Sequence, residues 1–150
     1  MRYMRGIVAK HPSYPADHNG ELVACIEACF SAAAATAACT DACLADPHAD
    51  VMATCIRLNM DACDLAGASA RILTRHIGHL TQAVIAQVNT LAAVLQACAV
   101  ECSQHGDAFE HCAICAEACR ACAESCRRLS GASAGVQATP KGIDQESALH

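Results

Sequence analysis

Small and apolar residues recur along this chain at steps of three and four, the spacing of one face of an α-helix. Between about Glu21 and Ala45 the pattern runs without Gly or Pro. Asp46-Pro47-His48 ends that segment and opens a second predicted helix, with Asp46 as N-cap and Pro47 at its first position. The second helix runs to about Arg75 and tolerates Gly67, at a cost of about 1 kcal/mol relative to Ala. Arg75-His-Ile-Gly78-His79 reads as a turn with Gly78 left-handed. A third helix follows over about Leu80–His105. The fourth, capped by Asp107 after the Gly106 corner, stops at Leu129-Ser-Gly131. Residues 1–20, with Pro12, Pro15 and Gly20, read as an irregular arm, and 131–150 as a loose tail. Residues 21–130 then hold four helices of similar length joined by short turns. The simplest all-α solution is an antiparallel up-down-up-down four-helix bundle.

The seam of that bundle is unusual. In the fourth segment Cys112, Cys115, Cys119, Cys122 and Cys126 step 3, 4, 3, 4, the rhythm of core positions. In the first, Cys25, Cys29, Cys39 and Cys43 keep the rhythm once Ala32 and Thr36 fill the gap. In the third, Val84, Val88, Leu91 and Leu95 lead into Cys98 and Cys102. The second is less regular: Met52, Cys55, Asn59 and Ala62 fit, and Cys63 sits one place off. Charged residues such as Glu27, Asp41, Arg57, Glu101, Glu117, Arg120, Glu124 and Arg127 fall off the seam.

Composition sharpens the picture. The chain has 150 residues, 13 cysteines, no Trp, two Tyr and two Phe, and its abundant Ala favours helix over sheet. A net charge of −5 offers no polybasic surface for nucleic acid. The N-terminus lacks the apolar run of a signal peptide. The longest apolar stretch, around 83–100, is interrupted by Gln87 and Asn89, against a membrane span. These features predict a cytoplasmic protein whose thiols stay reduced. An odd number of cysteines cannot pair completely within one chain. Helical neighbours at i, i+4 have Cβ atoms about 5–6 Å apart, whereas a disulfide needs about 3.5–4.5 Å, so C-x3-C pairs do not bond to themselves. Disulfides between helices stay open as an alternative.

Ordinary packing accounts for one or two buried cysteines, not for ladders of them. Zinc sites collect four ligands from C-x2-C pairs separated by loops and mix in His. Iron–sulfur proteins carry compact C-x2-C-x2-C runs. Neither pattern is present, and long thiol ladders suit Cu(I), the ion that soft thiolates select. With no Ser/His/Asp or paired-carboxylate constellation on the core face, the chain is expected to bind metal and not to be an enzyme. Two rivals remain. A thiol redox enzyme or sensor would want an exposed, low-pKa cysteine at a helix N-terminus, for which Cys112 is the nearest candidate. A structural bundle that has lost most metal binding is the other.

The segments Ala38-Cys39-Thr-Asp-Ala-Cys43-Leu44, Cys55-Ile-Arg-Leu-Asn59 and Ala97-Cys98 to Cys102 resemble the cytosolic bacterial copper storage proteins. So, above all, does His111-Cys112-Ala-Ile-Cys115-Ala-Glu-Ala-Cys119-Arg-Ala-Cys122-Ala-Glu-Ser-Cys126. The resemblance covers roughly residues 21–130. It implies a homotetramer of bundles, each packing many Cu(I) ions along its axis, with His111, Asn59 and His105 assisting entry at a mouth. Met52 is a candidate thioether ligand there, while His48, His76 and His79 read as solvated turn residues. Family members usually carry Cys where this chain has Ala32, Thr36, Ala62, Ala66, Val88, Leu91 and Leu95, which predicts a lower capacity. With the helices laid antiparallel, Cys39, Cys43, Cys55, Cys98, Cys102, Cys112 and Cys115 gather at one pole, and Cys63 and Cys119 lie deeper. Cys25, Cys29, Cys122 and Cys126 are left at the other. A dense copper cluster is expected at the first pole and a sparse, two-helix site at the second.

Overall fold

The computed structural model describes residues 2–14 and 20–137. They form five α-helices: α1 (Arg2–Val8), α2 (Glu21–Ala45), α3 (Ala53–Leu73), α4 (Gln82–His105) and α5 (Glu110–Gln137). No strand occurs among the described residues. The four long helices contain 21–28 residues, about 32–42 Å at 1.5 Å per residue. Helix α2 packs against α3 and α5, and α4 packs against α3 and α5, which closes a ring around one core.

Local chemistry sets the helix ends. Gly20, the one residue with positive φ among those described (78°), precedes α2, and Glu21 places a carboxylate against the positive end of the helix dipole. At the other end Asp46 turns extended, φ −79° and ψ 138°, as the steric demand of the following Pro47 requires. Its Oδ1 accepts the His48 backbone N–H at 2.8 Å, so Asp46 stabilises a turn and does not cap α3. A short 3-10 turn over Ala49–Met52 intervenes, and α3 starts later than the sequence predicts. Thr81 caps α4, its hydroxyl accepting from Val84 N–H at 3.3 Å.

Three further expectations change. The N-terminal arm contains a helix over Arg2–Val8, held by an Arg5–Glu27 ion pair to α2 and by the buried Val8. Helix α5 runs through Gly131 to Gln137. One glycine among alanines and serines costs too little to end a helix already nucleated. Gly78 is not left-handed: a Cβ there would meet Ser13 Cβ at 2.8 Å, so glycine is needed because the arm lies directly on the α3–α4 turn. Of the expected loose tail, 138–150 lie outside the described residues.

The predicted seam is the core. Every seam position named on α2, α3, α4 and α5 is buried, from Cys25 to Cys126. The named charges are half-buried or exposed. By length and composition α2 and α4 are apolar enough to cross a membrane, but much of that apolar surface is the buried seam. Midway along the core Ala32, Ala62, Ala66, Val88, Leu91 and Leu95 pack without a thiol, all buried. Among them Thr36 hides its hydroxyl by donating to the carbonyls of Ala32 (2.8 Å) and Ala33 (3.2 Å) of its own helix. Replacing Leu91 by Ala should therefore destabilise the reduced protein by about 2–5 kcal/mol. Chemical denaturation under anaerobic conditions measures this, and a loss below about 1 kcal/mol would mean the middle of the core is not tightly packed.

Candidate metal centre

All thirteen cysteines are free thiols, twelve of them buried and Cys63 half-buried. The helices gather the twelve buried ones into two groups. At one end the last turns of α2 face the first turns of α5: Cys43 Sγ is 3.8 Å from Cys112 Sγ, and Cys39 Sγ is 3.9 Å from it. His111 completes this set, with Nε2 3.4 Å from Cys43 Sγ. Its half-buried ring leans on Phe109, the centroids 5.8 Å apart. The ligand atoms of Cys39, Cys43, His111 and Cys112 all lie within 4.8 Å of one another. The same holds for Cys39, Cys102 and Cys115, and for Cys98, Cys115 and Cys119.

Asn59 sits fully buried at the centre of this first group. Its amide Nδ2 donates to Cys39 (3.4 Å) and Cys55 (3.5 Å). Its Oδ1 accepts from the thiols of Cys98 (3.0 Å), Cys115 (3.2 Å) and Cys102 (3.5 Å). Further sulfur contacts join Cys55 to Cys102 at 3.4 Å and Cys119 to Cys98 at 3.7 Å. One side chain thus ties together thiols from all four long helices.

The second group is smaller and uses two helices. Cys25 Sγ lies 3.8 Å from Cys126 Sγ, and Cys122 Sγ 3.8 Å from Cys29 Sγ. Cys25, Cys29 and Cys126 come within 4.8 Å of one another.

Of the remaining candidates, Met52 is fully buried. His105 pairs with Glu101 on its own helix at 3.4 Å and joins none of the thiol groups. Cys63 joins none either, because the adjacent Ala62 takes the inward position. Which thiols meet across helices was the part hidden from sequence, since register between helices leaves no mark in spacing along one of them.

Electrostatics follow from crowding sulfur in a dry space. Hydrogen bonds from the thiols of Cys102, Cys115 and Cys55 hold Cys39 well below the ordinary thiol range. Bonding with Cys102 pushes Cys55 and Cys115 far above it, while burial, and then the negative charge favoured at Cys39, raise Cys43 and Cys112. Cys119 is pulled down by its bond with Cys115, but its bond with Cys98 and burial outweigh this and push it up to about 12. In the second group Cys126 is lowered by Cys122, Cys25 and Cys29, with help from Arg127. Its partners are raised: Cys25 and Cys122 chiefly by Cys126, Cys29 chiefly by Cys122.

This architecture is a known one. The family model described as copper storage protein matches residues 18–131. The chain belongs to the copper storage protein family. Among solved structures, the Streptomyces lividans copper storage protein loaded with 10 copper equivalents is 36% identical, with a TM-score of 0.80 over 85% of this chain and 98% of that one. The cytosolic copper storage protein of the same organism with five coppers is 40% identical, with a TM-score of 0.71 over 74% and 92%. Apo copper storage protein 3 of Bacillus subtilis is 30% identical, with a TM-score of 0.61 over 71% and 96%. No curated protein matches by sequence.

For this family member the thiol shifts carry a pH dependence. A thiol whose folded pKa is raised keeps its proton where the unfolded chain loses it, above about pH 8.5. There the folded state binds more protons, so stability falls as pH rises. Lowered thiols such as Cys39 and Cys126 act oppositely, contributing stability that is lost as pH falls, but the raised ones outnumber them. The melting temperature of the reduced, metal-free protein should drop between pH 8 and pH 10, followed anaerobically by circular dichroism. A flat or rising curve would contradict the raised values.

Proposed function

We propose that this protein takes up and stores several Cu(I) ions in the thiolate-lined core of an antiparallel up-down-up-down four-helix bundle. Membership of the copper storage family supports the reading. The observation that carries it is a set of twelve buried free thiols, with sulfurs approaching to 3.4–3.9 Å across helices. Metal–sulfur bonds of about 2.3 Å let one ion bridge such pairs, and soft thiolates favour Cu(I) among biological ions. The helix arrangement is supported by pairings that run in opposite order: Cys43 with Cys112 and Cys25 with Cys126 between α2 and α5, and Cys55 with Cys102 and Ser69 with Gln87 between α3 and α4.

Ions enter at the first group, where the half-exposed His111 beside Cys43 offers a ligand that water can reach. Cys39, Cys43, Cys55, Cys98, Cys102, Cys112, Cys115 and Cys119 hold the main load with Asn59, and Cys25, Cys29, Cys122 and Cys126 hold a smaller one. Cys63 and His105, which lie outside the sulfur groups, take no part in holding the ions. Each ion displaces thiol protons, so the core exchanges protons for Cu(I) as it fills. The protein works in the cytoplasm, assembles as a homotetramer, catalyses nothing, and has a lower capacity than Cys-richer relatives.

The redox alternative asks for an exposed, acidic thiol. Cys112 is fully buried with its pKa raised, which disfavours it.

An anaerobic titration of reduced protein with Cu(I) against a chromophoric chelator tests storage. Uptake of about one ion per one to two thiols is expected, unchanged within error by Cys63→Ala. Uptake of one ion or none would leave the structural-bundle reading standing. Light scattering should find four chains per particle, and a monomer would remove the tetramer from the proposal.

A further inference from the structure

We propose that α5 alone connects the two thiol groups and that Cys119 is the relay through which Cu(I) reaches the second one. The inference rests on the storage reading and concerns how the far thiols are filled. On α2 no cysteine lies between Cys29 and Cys39, a gap of about 15 Å at 1.5 Å per residue. Helix α4 has none before Cys98; its inward positions there are Val84, Val88, Leu91 and Leu95, all buried. On α3 the inward positions beyond Asn59 include Ala62 and Ala66, and the half-buried Cys63 joins neither sulfur group. Only α5 keeps sulfur throughout, at Cys115, Cys119, Cys122 and Cys126.

The two groups are otherwise separate. Cys119 bonds to Cys98 in the first, and Cys122 bonds to Cys29 in the second. Between them lies a single i, i+3 step on one helix, with Cβ atoms about 5–6 Å apart, a span one ion with two sulfur bonds of about 2.3 Å bridges. Towards the far end, the described residues close the core with apolar side chains. Beyond Cys25 and Cys126 come Leu22, Leu73, Val84 and Leu129, all buried and apolar, and the arm adds the buried Val8.

Passage is ligand exchange. Cu(I) keeps its oxidation state, forms a bond to the sulfur of Cys122 while its bond to Cys115 breaks, and remains held by Cys119 meanwhile. The proton leaving Cys122 passes to the released Cys115 thiolate, so each ion moving inward returns one proton along the same sulfur row. A bare ion crossing the apolar middle would have to shed its ligands in a medium that cannot replace them, which is why the row has to be continuous.

The test is the time course of Cu(I) uptake by the reduced full-length protein, followed by thiolate-to-copper absorbance. Two phases are expected, the slower one lost in Cys25→Ala/Cys29→Ala. Cys119→Ala should slow that phase by about tenfold or more and leave its amplitude in place. Cys63→Ala, which removes a thiol outside both groups, should leave the slow rate unchanged. Melting temperatures of the metal-free variants verify that each is folded. A single phase, or equal slow rates in Cys119→Ala and Cys63→Ala, overturns the relay while total uptake still supports storage. No uptake by the parent protein overturns both.

Discussion

A sulfur atom buried in this core has to meet two demands that pull apart. While the protein is empty, the thiols are the packing material of a helical bundle, and an uncharged S–H is the form a dry interior tolerates. Once a metal ion binds, the same atom has to be a thiolate. Crowding sulfurs at 3.4–4.0 Å from one another reconciles the two, because each S–H has another sulfur or an amide to donate to. The negative charge is confined to a few favoured positions such as Cys39 and Cys126, and the other thiols are held protonated until an ion replaces the proton. Helix lengths, alanine content and the outward placement of charge all follow from keeping that sulfur column straight and dry.

Asn59 shows how narrow the tolerance is. A buried polar side chain left without partners costs about 1–3 kcal/mol, and in a core of ordinary hydrophobes an Asn would be a fault. Among thiols it is matched on both sides: its N–H groups point at Cys39 and Cys55, and its oxygen takes S–H bonds from Cys98, Cys102 and Cys115. It fixes which of these sulfurs donate and which accept. Cys39 receives the amide N–H, and it is the thiols of Cys102, Cys115 and Cys55 that hold it below the ordinary thiol range.

Much of this is legible in the chain because the seam repeats. Steps of three and four place Cys112, Cys115, Cys119, Cys122 and Cys126 on one face without knowledge of any partner helix, and all five are buried. The off-rhythm place of Cys63 is likewise visible, and the structure leaves it outside the sulfur groups. What spacing cannot convey is contact between distant segments. Val8 and Arg5 hold α1 against the bundle through tertiary contacts, so a seven-residue helix forms where local propensity predicts none. Gly78 is glycine because Ser13 lies against it, not because of its own backbone angles. Met52 and His105 fit the pattern of a metal mouth by position, yet His105 turns to Glu101 instead.

The apolar middle of the core then has a physical reason of its own. Cysteine is smaller than leucine, and a core lined with it gives up part of the roughly 25 cal/mol per Å2 that apolar burial contributes. Metal binding makes good that deficit in the loaded state, through linkage to folding, but does nothing for the empty one. Leu91, Leu95 and Val88, buried in the same core as Ala32, Ala62 and Ala66, concentrate apolar volume in the part of the bundle that no ion would hold together. The apolar centre thereby favours an empty state that keeps its fold. The remaining thiols fall into one large group that a half-exposed histidine can reach and one small group reached along α5, so the apolar belt that stabilises the empty protein also divides the store in two.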